Sequence, residues 1–228
     1  MSKIVNADGY FFDEVTHIGG YKDTVWPSVT QLLTEFCIQN FSGVPADRLE
    51  YKRILGTRVH AGACLLDDGI LDTEHFNSSF PDCVGYLNAY RKFREIEPFE
   101  TLVKERRLFS PTWRIHGAMD LVASHSGRYA GNLCIIDYKC TWALYAACAP
   151  QLCGYEMLVK ENWDALGLPQ ELKRKKIRLF ALQLKGTGNY EFEEIKNKEE
   201  CMQDFMACAR IWWRRVDYYK TKKGEIES

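Results

Sequence analysis

Two charges placed one residue apart, Asp137 and Lys139, close the segment Leu133-Cys134-Ile135-Ile136-Asp137-Tyr138-Lys139. The segment is apolar, partly β-branched and preceded by Gly131-Asn132, which reads as a buried strand. Side chains two apart on a strand share a face, so Asp137 and Lys139 project together from one end of a sheet. A buried charge without a partner is costly, so each needs the other or a ligand. Upstream, Ile115-His116-Gly117-Ala118-Met119-Asp120-Leu121-Val122-Ala123 reads as a second apolar strand with one carboxylate in it. Side by side, the strands offer Asp120, Asp137 and Lys139 in one of two arrangements. One is a divalent-metal site with an ammonium beside it; the other is a salt bridge at a strand end.

Other polar residues stand at suggestive positions. Gln151 and Tyr155 are four apart in a helical pattern that follows Pro150, so they share a helix face. His60 lies in Gly56-Thr57-Arg58-Val59-His60-Ala61-Gly62-Ala63, which is also helix-compatible. Glu105 can bind a metal, anchor Lys139 or pair with its neighbours Arg106 and Arg107. Taken singly, His60 reads as a packed helical histidine, and Gln151 and Tyr155 as an ordinary half-buried face.

The order His60, Glu105, Gly117-x-x-Asp120, Asp137-x-Lys139, Gln151-x-x-x-Tyr155 resembles the RecB-type branch of the PD-(D/E)XK nuclease superfamily. Pro27-Ser28-Val29-Thr30-Gln31-Leu32-Leu33 is similar to the amino-terminal segment of phage exonucleases and of the mitochondrial genome maintenance exonuclease in that branch. The resemblance runs from about Pro27 to Tyr155. It implies an α/β (α+β) fold, a restriction-endonuclease-like mixed central sheet flanked by helices, with an N-terminal helical region. It implies a divalent-metal-dependent DNA exonuclease acting at DNA ends, phage- or recombination- and repair-linked. A structure-specific endonuclease on the same core and a non-catalytic DNA-binding module remain alternatives. The metal would be magnesium or manganese, held by His60, Asp120, Asp137 and the carbonyl oxygen of Tyr138, and an imidazole tilts the choice toward manganese. Lys139 would position the attacking water or stabilise developing charge. Gln151 would orient water or phosphate, Tyr155 would bond a phosphate, and Glu105 would serve a second metal or Lys139. Cluster-bearing relatives use a closely spaced carboxy-terminal cysteine trio for iron and sulfur. This chain lacks that trio, so no iron–sulfur cluster is expected. The implied partners are DNA, single-stranded or at free ends, and a recombination protein.

DNA contacts would come from basic and aromatic residues. Lys173-Arg174-Lys175-Lys176 is the densest basic run, and Arg214-Arg215 with Lys220, Lys222 and Lys223 is another. A charge run is more often only a solvated face, and phosphate binding requires it to border the metal site. Trp142 and Tyr145 follow the Asp-x-Lys strand closely enough to stack a base, or else to pack in the core.

The net charge of −1 excludes the overall basic character of a nucleic-acid coat protein, so binding must rest on a local patch. Nine cysteines, an odd number set mostly among apolar residues, read as core packing in a reducing cytoplasm. No apolar run is long enough to span a membrane. No Gly-x-x-x-x-Gly-Lys-Ser/Thr, Gly-x-Ser-x-Gly or His-Glu-x-x-His occurs, which counts against an ATPase, a serine hydrolase and a zinc protease.

The elements that must position these groups follow from periodicity. Residues 10–18 read as a strand before a Gly19-Gly20 turn, 28–41 as a helix, 46–67 as a helix carrying His60, and 73–96 as a helix closed by Pro98. Strands are expected near 101–109, 113–123 and 132–139, then a helix over 150–162. Strands over 176–185 and 190–195 form a hairpin, and a helix covers 198–219, with Met202, Phe205, Ala209, Trp212 and Val216 inward. One nuclease domain over 1–228 is the expectation, with a helical cover at about 28–96 and a catalytic core at about 101–219.

Overall fold

The computed structural model describes the backbone of residues 3–5, 8–141, 144 and 146–227, and the side chains of 8–141, 144 and 146–220. The chain opens with a four-stranded antiparallel meander: β1 (Lys3–Val5), β2 (Tyr10–Asp13), β3 (Ile18–Tyr21) and β4 (Thr24–Trp26). This corrects the expectation of one strand over 10–18. The turn falls at residues 14–17, where the Asp13 carboxylate accepts from the backbone N–H of Val15 at 2.9 Å and of Thr16 at 3.0 Å. Gly19 and Gly20 lie inside β3 instead. A Cβ on Gly20 would stand 2.0 Å from the Thr24 carbonyl oxygen, so glycine is needed there for strand approach and not for a turn.

Ser28 caps α1 (Val29–Glu35) by accepting from the Gln31 N–H at 3.0 Å. The helix is shorter than expected: it stops at Phe36, and Cys37 turns left-handed at φ 59°. The second helix, α2 (Ala46–Asp67), has the expected bounds. The expected helix over 73–96 is broken into α3 (Thr73–Ser79), a 3-10 turn at Pro81–Cys83 and α4 (Val84–Ile96). Pro81 is the cause: it lacks an N–H and forces Phe80 out of helical geometry, to φ −134° and ψ 62°.

The main sheet has the order β5 (Phe99–Ser110), β6 (Ile115–His125), β7 (Leu133–Lys139), β8 (Ile177–Leu184) and β9 (Tyr190–Glu194). All neighbours are antiparallel except β7 and β8, whose parallel pairing is allowed by the crossover helix α5 (Cys148–Glu161). The last helix, α6, runs Lys198–Glu227, longer than read. Phe205 and Ala209 are buried as expected and Met202 and Trp212 pack half-buried against the same core, while Trp213 is buried as well. The result is a mixed α/β sheet flanked by helices. On one face Val29, Leu32 and Leu33 of α1 pack with Leu152 and Leu158 of α5 and Phe205 of α6. On the other, Leu55 and Val59 of α2 and Leu87, Tyr90 and Phe93 of α4 cover Leu121, Ile136 and Phe180. Each such side chain contributes about 1.5–3 kcal/mol on burial. Among the described residues no helix is long and apolar enough to cross a membrane.

Candidate active site

The β6–β7 ladder ends at the pair Leu121–Ile136, and the next register position sets Asp120 opposite Asp137. Asp120 Oδ2 accepts the Tyr138 backbone N–H at 2.6 Å. The carboxylate therefore satisfies a donor that the ladder has released, and a buried N–H requires such a partner. On the other side of β6, the pairs Lys104–Leu121 and Arg106–Met119 set Glu105 opposite Asp120. Glu105 is left-handed at φ 45°, a conformation that strands and glutamates rarely adopt and that clusters at functional positions. His60 reaches down from α2, with Nδ1 3.3 Å from Asp120 Oδ1 and 3.5 Å from Glu105 Oε1. One donor atom from each of His60, Glu105 and Asp120 lies within 4.8 Å of the others. The group opens toward Glu105, whose side chain is 36% exposed against 10% for Asp120.

Asp137 stands beside this group and not in it. Its Oδ2 meets Lys139 Nζ at 2.5 Å. Lys139 also donates to Gln151 Oε1 at 2.9 Å, and Gln151 Nε2 donates to the Tyr155 hydroxyl at 2.7 Å. The i, i+4 spacing on α5 thus becomes a three-residue chain ending on the lysine. Gly117 leaves room for it, since a Cβ there would lie 3.0 Å from Leu158 Cδ1 and 3.1 Å from Tyr155 Cε1.

Charge crowding sets the ionisation. Burial pushes the Asp137 carboxyl up to about 6; Lys139 opposes this, and the negative charge of Asp120 adds to it. Burial acts the same way on Asp120, but attraction to His60, with the His60 and Tyr138 hydrogen bonds, holds it below the usual carboxylate value. Burial disfavours charge on His60, yet Asp120 and Glu105 outweigh it and raise the imidazole well above its ordinary value. Burial likewise opposes charge on Lys139, and Asp137 overcomes it, so the ammonium is held charged.

A buried network backs the site through Tyr138, and its further members Tyr90, Asp67 and Arg94 carry no site signal in the sequence. The Tyr138 hydroxyl lies 3.1 Å from that of Tyr90, which donates to Asp67 Oδ2 at 2.8 Å. Arg94 Nε pairs with Asp67 Oδ1 at 3.2 Å. The His60 ring stands edge-on to Tyr138, centroids 5.4 Å apart. No local pattern announces Tyr90 or Asp67, because each sits at an ordinary helix position.

The structure brings together His60, Glu105, Asp120, Asp137, Tyr138, Lys139, Gln151 and Tyr155. It does not bring Lys173-Arg174-Lys175-Lys176 to them. That run precedes β8, whose first residue, Ile177, pairs with Leu133, whereas Lys139 pairs with Gln183 at the other end. Lys173 is also tied to Asp164 at 3.0 Å. The condition that the run border the carboxylates is therefore unmet. Trp142 and Tyr145 lie outside the described residues. Arg107, a possible partner of Glu105, instead lies over the Phe12 ring at 3.3 Å. All nine cysteines are free, and seven are buried in the manner of small core residues.

No family model matches this chain. No curated protein matches it either. Among solved structures it is similar to a proposed exonuclease from Eubacterium rectale, with 12% identity, 76% of this chain and 68% of that one covered, and a TM-score of 0.45.

Proposed function

We propose that this chain is a divalent-metal-dependent deoxyribonuclease that hydrolyses phosphodiester bonds at DNA ends, in a phage-, recombination- or repair-linked role. One observation carries the reading: a His60–Glu105–Asp120 donor group meets the Asp137–Lys139 pair at one end of the sheet. One imidazole nitrogen and two carboxylate oxygens suit magnesium or manganese, with Asp137 and the Tyr138 carbonyl adjacent. Closely set carboxylates that repel one another gain from a cation between them. When bound, such a metal polarises phosphate oxygens and acidifies water.

The protein's own groups do the rest. Lys139 is held charged, which favours fixing a phosphate oxygen and stabilising its developing charge over abstracting a proton. Gln151 fixes the ammonium and Tyr155 fixes Gln151, so the lysine is positioned before substrate arrives. The α2 helix, by delivering His60 over the sheet end, narrows access and favours a strand entering from its terminus. The test compares end-labelled linear DNA with covalently closed circles, single- and double-stranded, in manganese. Stepwise loss of the linear forms with circles spared is expected. Nicking of closed circles at a matching rate would favour a structure-specific endonuclease.

A further inference from the structure

A second polar feature lies at the tip of the β5–β6 hairpin, where Trp113 and Arg114 meet α6 around an open groove of about 470 Å³. Three guanidiniums line it. Arg114 lies over the Trp213 ring at 3.8 Å, and Arg210 over Trp113 at 5.7 Å. The Trp213 ring is itself fixed, donating from Nε1 to the Trp113 carbonyl oxygen at 3.1 Å. A guanidinium laid flat on a ring keeps its in-plane N–H donors for another partner. Arg214 completes the set. Opposing them is Asp217, 3.7 Å from Arg114, with both side chains well exposed. Arg210 and Arg214 are exposed, and among the described residues neither has an ion pair with a carboxylate. The groove therefore carries an excess of positive charge in a chain whose net charge is −1.

Its placement narrows the partner. The hairpin tip extends from the same end of the sheet as Asp137 and Lys139, because β6 runs antiparallel to β7 and its early residues lie at that end. Arg114 is six residues from Asp120. At about 3.3 Å per strand residue the separation is about 20 Å. A strand held at the carboxylates needs only a few further phosphates to reach that far. The tryptophan faces are already taken by arginines, which suits backbone contact and not base stacking.

We infer that the Arg114–Arg210–Arg214 groove binds the phosphate backbone of a DNA strand a few phosphates from the bond cut at the Asp120 carboxylate group. The inference rests on the nuclease reading for the identity of the strand. The test uses the whole chain in EDTA with a fluorescein-labelled single strand of about 20 nucleotides, followed by anisotropy across a salt series. Arg210→Ala with Arg214→Ala should leave the fold intact, since both side chains are exposed. Binding should weaken on the order of tenfold at about 0.1 M salt, and the log–log salt slope should become shallower by about 1.4, or about 0.7 per lost contact. In manganese, the double variant should cleave a dinucleotide at the wild-type rate, because a substrate with a single phosphodiester cannot span the distance to the groove.

Wild-type protein that binds and cuts DNA, with a double variant of unchanged affinity and slope, would overturn the inference and leave the nuclease reading standing. Wild-type protein that neither binds nor cuts DNA would remove both. Loss of binding to labelled polyglutamate with DNA binding intact would also overturn it, making the groove a site for an acidic protein.

Discussion

Lys139→Met is the most informative single substitution. The ammonium and the Asp137 carboxylate are 2.5 Å apart, with side chains only 16% and 3% exposed. Removing one member of a buried pair costs about 3–5 kcal/mol, because the other charge is left uncompensated. A Coulomb energy of about 4 kcal/mol at 4 Å with an effective dielectric of about 20 gives the same scale. The pH dependence has a fixed sign. The Asp137 carboxyl is already raised from 3.8 to about 6, and loss of Lys139 raises it further. A carboxyl raised by folding destabilises only when ionised. The penalty should therefore be small below the unfolded value, grow as pH rises from the unfolded value toward the folded one, and be fully present above it. Urea denaturation in EDTA should show Lys139→Met close to wild type near pH 4 and about 3 kcal/mol weaker near pH 8. For a chain of this size that is a loss of about 6–12 °C in Tm. Adding Asp137→Asn should restore most of the stability. Equal stability of Lys139→Met and wild type at both pH values, or no recovery in the double variant, would show that the two charges are not coupled.

Further outcomes follow from other contacts. Calorimetry should show manganese affinity falling at least tenfold in Glu105→Gln and in His60→Ala, since changes behind a metal ligand alone cost about 10–100-fold. His60→Ala should lose more activity in magnesium than in manganese, as manganese accepts mixed nitrogen and oxygen donors better. Gly117→Ala should cost about 1–3 kcal/mol and slow turnover, by displacing Tyr155 and the Gln151–Lys139 chain behind it. Burial, with Arg107 alongside, pushes His116 down from 6.5 to about 4. The unfolded chain therefore takes the proton first, and about 3 kcal/mol of stability should be lost as pH falls through that window. Urea melts of His116→Leu should show that slope flattened.

Strong local signals carried much of this structure. The α2 bounds, the β8–β9 hairpin and the face shared by Asp137 and Lys139 all follow from periodicity and turn chemistry. Pro81 was a visible breaker inside the expected 73–96 helix, and apolar spacing on both sides of it masked the break. Gly19-Gly20 misled because glycine serves close approach as well as turns, and only the Thr24 carbonyl distinguishes them. Glu105 was ambiguous for a deeper reason: its left-handed backbone and its register against Asp120 are products of strand pairing. The basic run at Lys173–Lys176 was conspicuous in sequence, yet a parallel strand carries it to the far end of the sheet. The less conspicuous Arg114 and Arg210 are gathered at the hairpin tip by tertiary contact alone.

In the proposed function Asp137 and Lys139 belong to a metal-dependent phosphodiesterase centre. Release of acid-soluble label from end-labelled linear DNA tests it most directly, with wild type, Asp137→Ala and Lys139→Ala compared in manganese and in EDTA. Wild type should release label in manganese alone, with both variants silent and Lys139→Ala still binding the metal. Equal release in EDTA, or an active Asp137→Ala protein, would contradict it.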